Sequence, residues 1–274
     1  PHGMATFMQR LQRANRYVEG NAPSYLRTHP ITYERVAEAQ ARASGMPYKQ
    51  VSDTLDYHLV RALLKSYLGT PRETVAAFDA ALRDNQFNNE IAERYGLVAA
   101  LLRAKDMSRA RVELARVEKM APPHPMIEAM AAHVLMESGD NAAAALRFQA
   151  ALSRYPNKKQ LIYDLPEALI NDKRPAEASE FVELQLKRFP EDGQLHQIAA
   201  RAYAAQNMRL KQHAHQGEFY AWSGNLPLAV DQFELAVKAG DGDFYQVSSI
   251  ESRRRKLRAA WAEPRQHGNR KSGA

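Results

Sequence analysis

A period of 34 residues runs through the middle of the sequence, and it restricts the fold more than any other feature does. Three consecutive units share five positions at fixed offsets from one another. In unit order these residues are Val98, Ala132 and Pro166; Leu101, Leu135 and Leu169; Ala110, Ala144 and Ala178; Leu114, Phe148 and Val182; and Pro122, Pro156 and Pro190. Five positions in register over three units are not a coincidence of composition, so the sequence repeats one supersecondary unit.

Each of these positions has a physical role in a pair of antiparallel helices. The alanine of the second helix lets the first helix approach closely, and the large apolar residue four positions later lies on the same helical face. The proline ends the second helix because it has no amide proton and disfavours helix in the residue before it. Small, large apolar, alanine, large apolar, proline at these spacings resembles the tetratricopeptide (TPR) repeat. The sequence therefore predicts an all-α solenoid of TPR-type helical hairpins.

The array is expected to extend beyond the three regular units, over residues 51–262 in about four to five units. A degenerate unit precedes them, with a turn at Gly69-Thr70-Pro71. A further unit follows, but its Ala229 lies 51 residues after Ala178, which is one and a half periods. Either one helix there is unpaired, or the helix over about 208–222 serves two neighbours and the array changes direction. The helix over about 243–262 is expected to be a polar cap.

Pro166 departs from the pattern because it falls inside a predicted first helix. A proline in a helix interior costs about 3 kcal/mol unless its neighbours adapt. We expect it either to kink that helix or to shift the point at which the helix starts.

The predicted function of such an array is protein binding. Stacked hairpins rotate slightly from one to the next, and this creates a concave face lined by the first helices. The candidate lining residues are Arg94, Leu97, Glu128, Met130 and Tyr163. For the apolar candidates, the alternative interpretation is that they pack in the core.

Composition excludes some classes of site. With no cysteine, the chain has no thiol catalysis, disulfide or cysteine-bound zinc. No apolar run approaches the ~20 residues that cross a bilayer. The net charge of +7 is concentrated near the end, in the stretch from Arg253 to Lys271, and residues 263–274 are predicted to form a flexible basic tail. Such a tail suits nucleic acid or an anionic membrane, but a solvated helix face is the simpler reading, and no RNA-binding signature supports nucleic acid as a partner.

Residues 1–50 do not fit the repeat. They predict a helix over about 3–18, a loop, and a helix over about 31–44 with Thr32 as its N-cap. Their motif is Tyr25-Leu26-x-Thr28-His29-Pro30-x-Thr32-x-x-Arg35. This motif resembles the end of the HExxH zinc metalloproteases related to the CAAX prenyl proteases. Joined to a C-terminal TPR array, it resembles the members of that family that act in the periplasm of Gram-negative bacteria.

The resemblance implies that residues 1–50 are the C-terminal end of a metalloprotease domain, and the amphipathic start of the chain suggests a piece of a longer protein. A zincin needs two histidines one turn apart with an adjacent glutamate, and no HExxH occurs here. The resemblance thus places zinc and catalysis in the N-terminal part of the parent. It implies no catalytic residue and no cofactor in this chain.

His29 carries the sharpest expectation within that motif. By resemblance its loop lies against the active-site cleft, so we expect His29 to approach the zinc or to regulate access in the full-length enzyme. The alternative is that His29 caps and orients the following helix. Unchanged proteolysis and regulation in a full-length His29→Ala variant would contradict the first reading.

The partners that the resemblance implies are outer-membrane β-barrel precursors or their assembly machinery, together with the protease domain of the same protein. The competing hypothesis is a stand-alone TPR adaptor whose first fifty residues form a helical cap. The DNA upstream of Pro1 separates the two, because an HExxH preceded by a signal peptide supports the protease.

Overall fold

The computed structural model of the chain describes residues 2–15, 33–46 and 52–262. The chain divides into two units, residues 1–54 and residues 55–274. In the first unit, α1 (His2–Asn15) packs on α2 (Tyr33–Ser44). Val36 and Ala43 of α2 are buried in this pair, whereas Met4 and Phe7 of α1 remain exposed. The segment that contains His29 and Thr32 lies outside the described residues.

Between residues 55 and 262 the described chain is a series of twelve helices without a strand. In chain order they are α3 (Leu55–Ser66), α4 (Pro71–Arg83), α5 (Glu90–Arg103), α6 (Met107–Met120), α7 (Pro125–Glu137), α8 (Asn141–Arg154), α9 (Lys159–Asn171), α10 (Pro175–Arg188), α11 (Gly193–Ala205), α12 (Arg209–Trp222), α13 (Leu226–Lys238) and α14 (Phe244–Ala262). This series confirms the predicted helical-repeat solenoid.

The repeat positions form the core of the hairpins. The alanines Ala110, Ala144 and Ala178 are fully buried, and so are Phe148 and Val182 four residues after the second and third of them. The cluster around Ala144 and Phe148 consists mainly of alanines and leucines of α7, α8 and α9. This arrangement is the ridge-into-groove packing that the sequence spacing predicts.

The turn inside each hairpin repeats as closely as the core does. Left-handed backbone with positive φ occurs at Lys105, Gly139, Lys173 and Asn207, which are 34 residues apart. Only Gly139 is a residue for which this conformation costs nothing, so the other three accept strain of about 1 kcal/mol each. Because Asn207 keeps the period, α11 and α12 form a regular hairpin even though no alanine marks it.

Helix α12 is shared between two neighbours. It packs on α11 as the second helix of one hairpin and on α13 as the first helix of the next. A side chain at Gly217 would meet the Phe233 ring at 2.8 Å, so glycine is needed for this second contact. Of the two alternatives for the half-period shift, the structure thus shows the shared helix. Asp241 accepts hydrogen bonds from the first two amides of α12, at 2.6 and 2.9 Å.

The structure agrees only in part with three other predictions, which concern Pro166, the degenerate unit and the last helix. Helix α9 begins at Lys159, ends at Asn171 and includes Pro166, so its start is not shifted. Helices α3 and α4 lie where the degenerate unit was predicted, but each packs mainly on α5 rather than on the other. Helix α14 closes the described array, yet Phe244, Tyr245 and Trp261 are exposed, so it is less polar than the predicted cap.

Candidate protein-binding groove

The first helices line one side of the array. Helix α5 packs on α3 and α7, and α9 packs on α7 and α11. Neighbouring second helices, α4 to α12, show no comparably close packing on each other within residues 55–262. A stack whose first helices are closer together than its second helices curves toward the first helices. That side is therefore the concave face, which we call the groove.

A cavity of about 300 Å³ opens on the groove at its N-terminal half. Side chains from four successive first helices and the adjoining turns line it. They are Leu63, Tyr67, Tyr95, Ala99, Leu102, Arg103, Lys105, Met130, His133, Glu137 and Gln160. Its floor is apolar and its rim is polar, which is the arrangement common to ligand-binding cavities.

Tyr95 forms part of the floor and has an unusual hydroxyl group. The residue is only 3% exposed, and its ring packs in the core between α3, α5 and α7. No hydrogen bond to the hydroxyl is found among the described residues, and since no fully buried polar atom among them lacks a partner, the hydroxyl is open to water through the cavity. Burial raises the pKa of the Tyr95 phenol well above its usual range, and the nearby Asp164 carboxylate adds to this effect. The hydroxyl therefore remains protonated and is a hydrogen-bond donor facing the cavity.

Arg103 stands on the rim beside Tyr67. Its guanidinium donates to the backbone carbonyls of Ser66 and Gly69, the second at 3.2 Å. It also lies 5.4 Å from the centre of the Tyr67 ring. Within the described part of the chain no carboxylate pairs with it, in contrast to Lys105 on the same rim, which pairs with Glu137 at 2.6 Å. Arg103 therefore gives this end of the cavity a positive charge.

His133 and Asp164 continue the rim toward α9. Their side chains are 2.9 Å apart, and the edge of the His133 ring meets Phe148 with the ring centres 5.5 Å apart. Further along the groove Glu167 pairs with Arg201 of α11. The groove thus changes from an apolar, aromatic surface near α3 to a charged and amide-bearing surface near α11.

The structure places two of the five predicted groove residues on or near this face. Met130 lines the cavity. The Tyr163 hydroxyl donates to Asp192 at 2.8 Å, at the start of α11, and Lys159 pairs with the same carboxylate.

The other three predicted residues face the second helices. Leu97 is 1% exposed in the core between α4, α5 and α6. Arg94 pairs with Glu113 of α6 at 2.8 Å. Glu128 pairs with two arginines of α8, Arg147 and Arg154. The reason for Leu97 and Glu128 is helical periodicity, since they are two residues from Tyr95 and Met130 and so point to nearly the opposite side of their helices.

The groove residues that the sequence reading missed follow a helical spacing that was available. Tyr95, Ala99 and Leu102 lie at i, i+4 and i+7 of α5, and Met130, His133 and Glu137 lie at i, i+3 and i+7 of α7. These residues lie on a different face of α5 and α7 from the repeat residues, which pack on the second helices. A search for a second face on each first helix identifies them as candidates, although it does not say which face borders the cavity.

The described residues offer no site for the implied zinc. No group of three or more His, Asp or Glu side chains among them is placed to hold a metal ion. None of the described helices has the length and hydropathy needed to cross a membrane. His29, for which a metal role was expected, falls in the segment that is not described.

A second polar cluster lies where α10, α11 and α12 meet. The Nδ1 atoms of His196 and His215 are 2.9 Å apart, and His196 Nε2 donates to the Pro190 carbonyl at 3.0 Å. His215 Nε2 donates to Glu183 at 3.1 Å, and the Tyr203 hydroxyl donates to the same carboxylate at 2.8 Å. The Pro190 carbonyl can only accept, so His196 Nε2 carries a proton, and the hydrogen bond between the two Nδ1 atoms needs one donor and one acceptor.

This cluster predicts a specific dependence of stability on pH. Burial lowers the pKa of His196, and the hydrogen bond from His215 lowers the pKa of Glu183 to about 2. As pH falls below about 6.5, the unfolded chain takes up a proton at this histidine before the folded chain does, so the folded state loses stability. The stabilisation from Glu183 is fully present above about pH 4.5 and is lost as pH falls from there to about 2, so Glu183 does not contribute to the change near pH 6.5.

The corresponding test compares wild type with His196→Gln in urea unfolding at pH 7.5 and 5.0. Wild type should lose more stability than the variant over this range, because glutamine does not titrate. The residues that surround His196 and act on its pKa, namely Glu183, Glu218 and His215, are kept in both proteins. An identical loss in the two proteins would show that His196 is not the responsible group.

The chain is similar to a repeat family and to curated proteins. The profile of the family described as tetratricopeptide repeat matches residues 135–202. The chain is 25% identical over 231 residues to the Beta-barrel assembly-enhancing protease of Yersinia pestis, which covers 84% of this chain and 47% of that protein. It is 25% identical over 244 residues to the protein of the same name from Escherichia coli (strain K12), which covers 86% of this chain and 48% of that protein.

The chain thus spans about half the length of the curated relatives it matches. Among solved structures, the TPR protein YrrB, described as having an unusual peptide-binding site, is 15% identical. The match covers 79% of this chain and 97% of that one, with a TM-score of 0.40.

Proposed function

We propose that this chain is the client-binding arm of a periplasmic zinc metalloprotease that acts in the assembly and quality control of outer-membrane β-barrel proteins. The groove would hold unfolded or partly folded segments of β-barrel precursors, or a component of their assembly machinery, and present them to a protease domain in the same protein. The coarser part of this account, a role in protein interaction, is supported by the TPR family match and by the names of the relatives.

The observation that carries the proposal is the cavity that four successive first helices build on the concave face. An unfolded segment offers no fixed shape, so a binding surface for it needs several separate contacts rather than one deep pocket. The groove supplies an apolar cavity near α3 and α5, polar side chains over α7 and α9, and an ion pair near α11. Such a surface suits an extended polypeptide better than a small molecule.

The experiment that tests this proposal measures binding of a fluorescently labelled outer-membrane β-barrel protein, diluted from urea, by fluorescence anisotropy. Tyr67→Glu changes an exposed rim residue without touching the core, and we expect it to weaken binding about tenfold or more, since a charge would replace an aromatic contact. Leu184→Glu is the matched control because Leu184 is similarly exposed on α10, a second helix.

Equal loss in both variants, or no loss in either, would contradict the groove as the client site. Loss confined to Tyr67→Glu supports it. Unfolding curves of the two variants should coincide with that of wild type, because both residues are exposed.

The first fifty residues belong to the same proposal. We assign residues 1–50 to the end of the protease domain, residues 51–262 to the array and residues 263–274 to a basic tail. In the full-length protein His29 would approach the zinc or control access to it, and the His29→Ala variant described above tests this role. The stand-alone adaptor remains the competing proposal, and the upstream coding sequence decides between them.

A further inference from the structure

The Tyr95 hydroxyl lies at the floor of the cavity and has no hydrogen-bond partner among the described residues. Polar groups inside folded proteins are nearly always hydrogen-bonded to another protein group or to water, and this hydroxyl can reach water through the cavity. Among the described residues the other buried tyrosine of a first helix, Tyr203, follows this rule by donating to Glu183 at 2.8 Å. Tyr95 therefore retains a donor that a bound molecule can use.

The size and lining of the cavity restrict what that molecule presents. About 300 Å³ is at the lower end of ligand-binding cavities and accommodates one large side chain. Leu63, Ala99 and Leu102 supply apolar walls, and Met130 supplies a thioether. An apolar side chain that enters is removed from water where it meets these walls, and this burial is the main source of binding energy here.

Three features favour an aromatic side chain over an aliphatic one. The Met130 sulfur can contact the edge of an aromatic ring, an interaction that aliphatic groups do not make. The rings of Tyr67 and Tyr95 offer edge-to-face contacts. The Arg103 guanidinium, which already lies over the Tyr67 ring and has no carboxylate partner in the described chain, can stack on a second ring.

The groups around the opening fit the backbone of an extended segment. The Tyr95 hydroxyl can donate to a peptide carbonyl next to the buried side chain. Gln160 of α9 is exposed at the other side of the cavity and carries an amide that both donates and accepts. A segment that crosses from α5 to α9 would thus be held by one side chain and by its own backbone.

We infer that this cavity is an anchor site for a single aromatic side chain of an extended polypeptide, with the Tyr95 hydroxyl donating to the polypeptide backbone. The inference rests on the proposed function, because it names the chemical class that the groove selects.

The test uses fluorescein-labelled twelve-residue peptides made of Ser, Thr and Gln, with Phe, Leu or Ala at the centre. We expect the Phe peptide to bind the full 274-residue chain about tenfold more tightly than the Ala peptide, and the Leu peptide to fall between them. Tyr95→Phe should weaken binding of the Phe peptide about three- to tenfold, which is the net worth of one neutral hydrogen bond. Its unfolding midpoint should be unchanged or higher, because no hydrogen bond within the protein is lost.

Tyr203→Phe is the matched control, since it removes a buried tyrosine hydroxyl from α11 outside the cavity. It should lower the unfolding midpoint, because Glu183 loses a hydrogen bond, and it should leave the affinity for the Phe peptide unchanged. Opposite responses of the two variants in binding and in stability cannot come from a general effect of losing a hydroxyl.

Equal affinity for the Phe and Ala peptides, or full affinity in Tyr95→Phe, would overturn the anchor site while leaving the groove as a binding surface. Equal affinity for the Phe and Leu peptides would overturn the aromatic preference. If none of the peptides bound while the unfolded β-barrel protein did, the anchor would be wrong and the proposed function would stand. If neither bound, both would fail.

Discussion

Replacing Phe148 with alanine is expected to lower the free energy of unfolding of the array by about 3–5 kcal/mol. Phe148 is 0% exposed on α8, in the central hairpin of the regular repeat. Its neighbours include Ala129, Ala132 and Ala144, which are too small to move into the space that the ring leaves. The cavity would therefore persist, and its cost adds to the lost burial of the ring.

The effect should spread beyond one hairpin. In a solenoid each unit is stabilised mainly by its neighbours, so weakening the central interface also uncouples the units on either side. Urea unfolding followed by circular dichroism measures the change, and a broadened or two-step transition would accompany it. Leu146→Ala on the same helix is the control, since Leu146 is 63% exposed and its loss should cost no more than about 0.5 kcal/mol. Similar losses for the two variants would contradict the assigned packing.

Adding one methyl group at Gly96 should destabilise the array by about 2 kcal/mol. A Cβ atom there would lie 2.5 Å from two ring atoms of Phe78 and 3.1 Å from the Ala62 side chain. Phe78 is fully buried and has no free space to move into, so the helices α3, α4 and α5 must separate. The better helix propensity of alanine offsets only about 1 kcal/mol of the overpacking cost.

Thermal or urea unfolding of Gly96→Ala measures this loss, and a double variant shows its cause. Phe78→Leu should relieve the contact, so the double variant should be more stable than the sum of the two single changes predicts. Gly3→Ala is the control on α1, where a Cβ atom meets nothing within 4 Å, and it should be neutral or stabilising. Additive effects of Gly96→Ala and Phe78→Leu would mean that the predicted steric contact is not the cause.

The sequence predicted the hairpins well because their interfaces repeat. Ala144 and Phe148 satisfy a local spacing on one helical face, and the same spacing recurs in three units, so noise at any single position averages out. Even the change of phase at α12 was visible, because Ala229 lies one and a half periods after Ala178.

The groove was harder to predict because the side chains that face it are not repeated from one unit to the next. Met130 and Asp164, at equivalent positions 34 residues apart, border the groove, whereas the corresponding Gly96 packs on Phe78 and the corresponding Ile198 is buried in the core. Helix periodicity alone places Leu97 and Tyr95 on the same helix, but only the packing of α3 against α5 decides which of them faces the cavity. Whether the Tyr95 hydroxyl faces the cavity likewise depends on the helices that pack around it.

The second polar cluster, where α10, α11 and α12 meet, could not be predicted from the sequence for a related reason. His196 and His215 are 19 residues apart, and their hydrogen bond depends on the shared position of α12. Spacing along one helix suggests only that His213 and His215 point in different directions, which they do. His213 contacts Gln232 of α13, whereas His215 contacts α10 and α11.

The central claim is that the concave face of the first helices holds an extended client polypeptide. Because the chain has no cysteine, Gln160→Cys in the groove and Leu184→Cys on a second helix each introduce a single attachment site for a benzophenone crosslinker. After mixing with an unfolded outer-membrane β-barrel protein and irradiation, we predict crosslinks from position 160 and few from position 184. Equal crosslinking from the two positions, or crosslinking mainly from position 184, would contradict the claim.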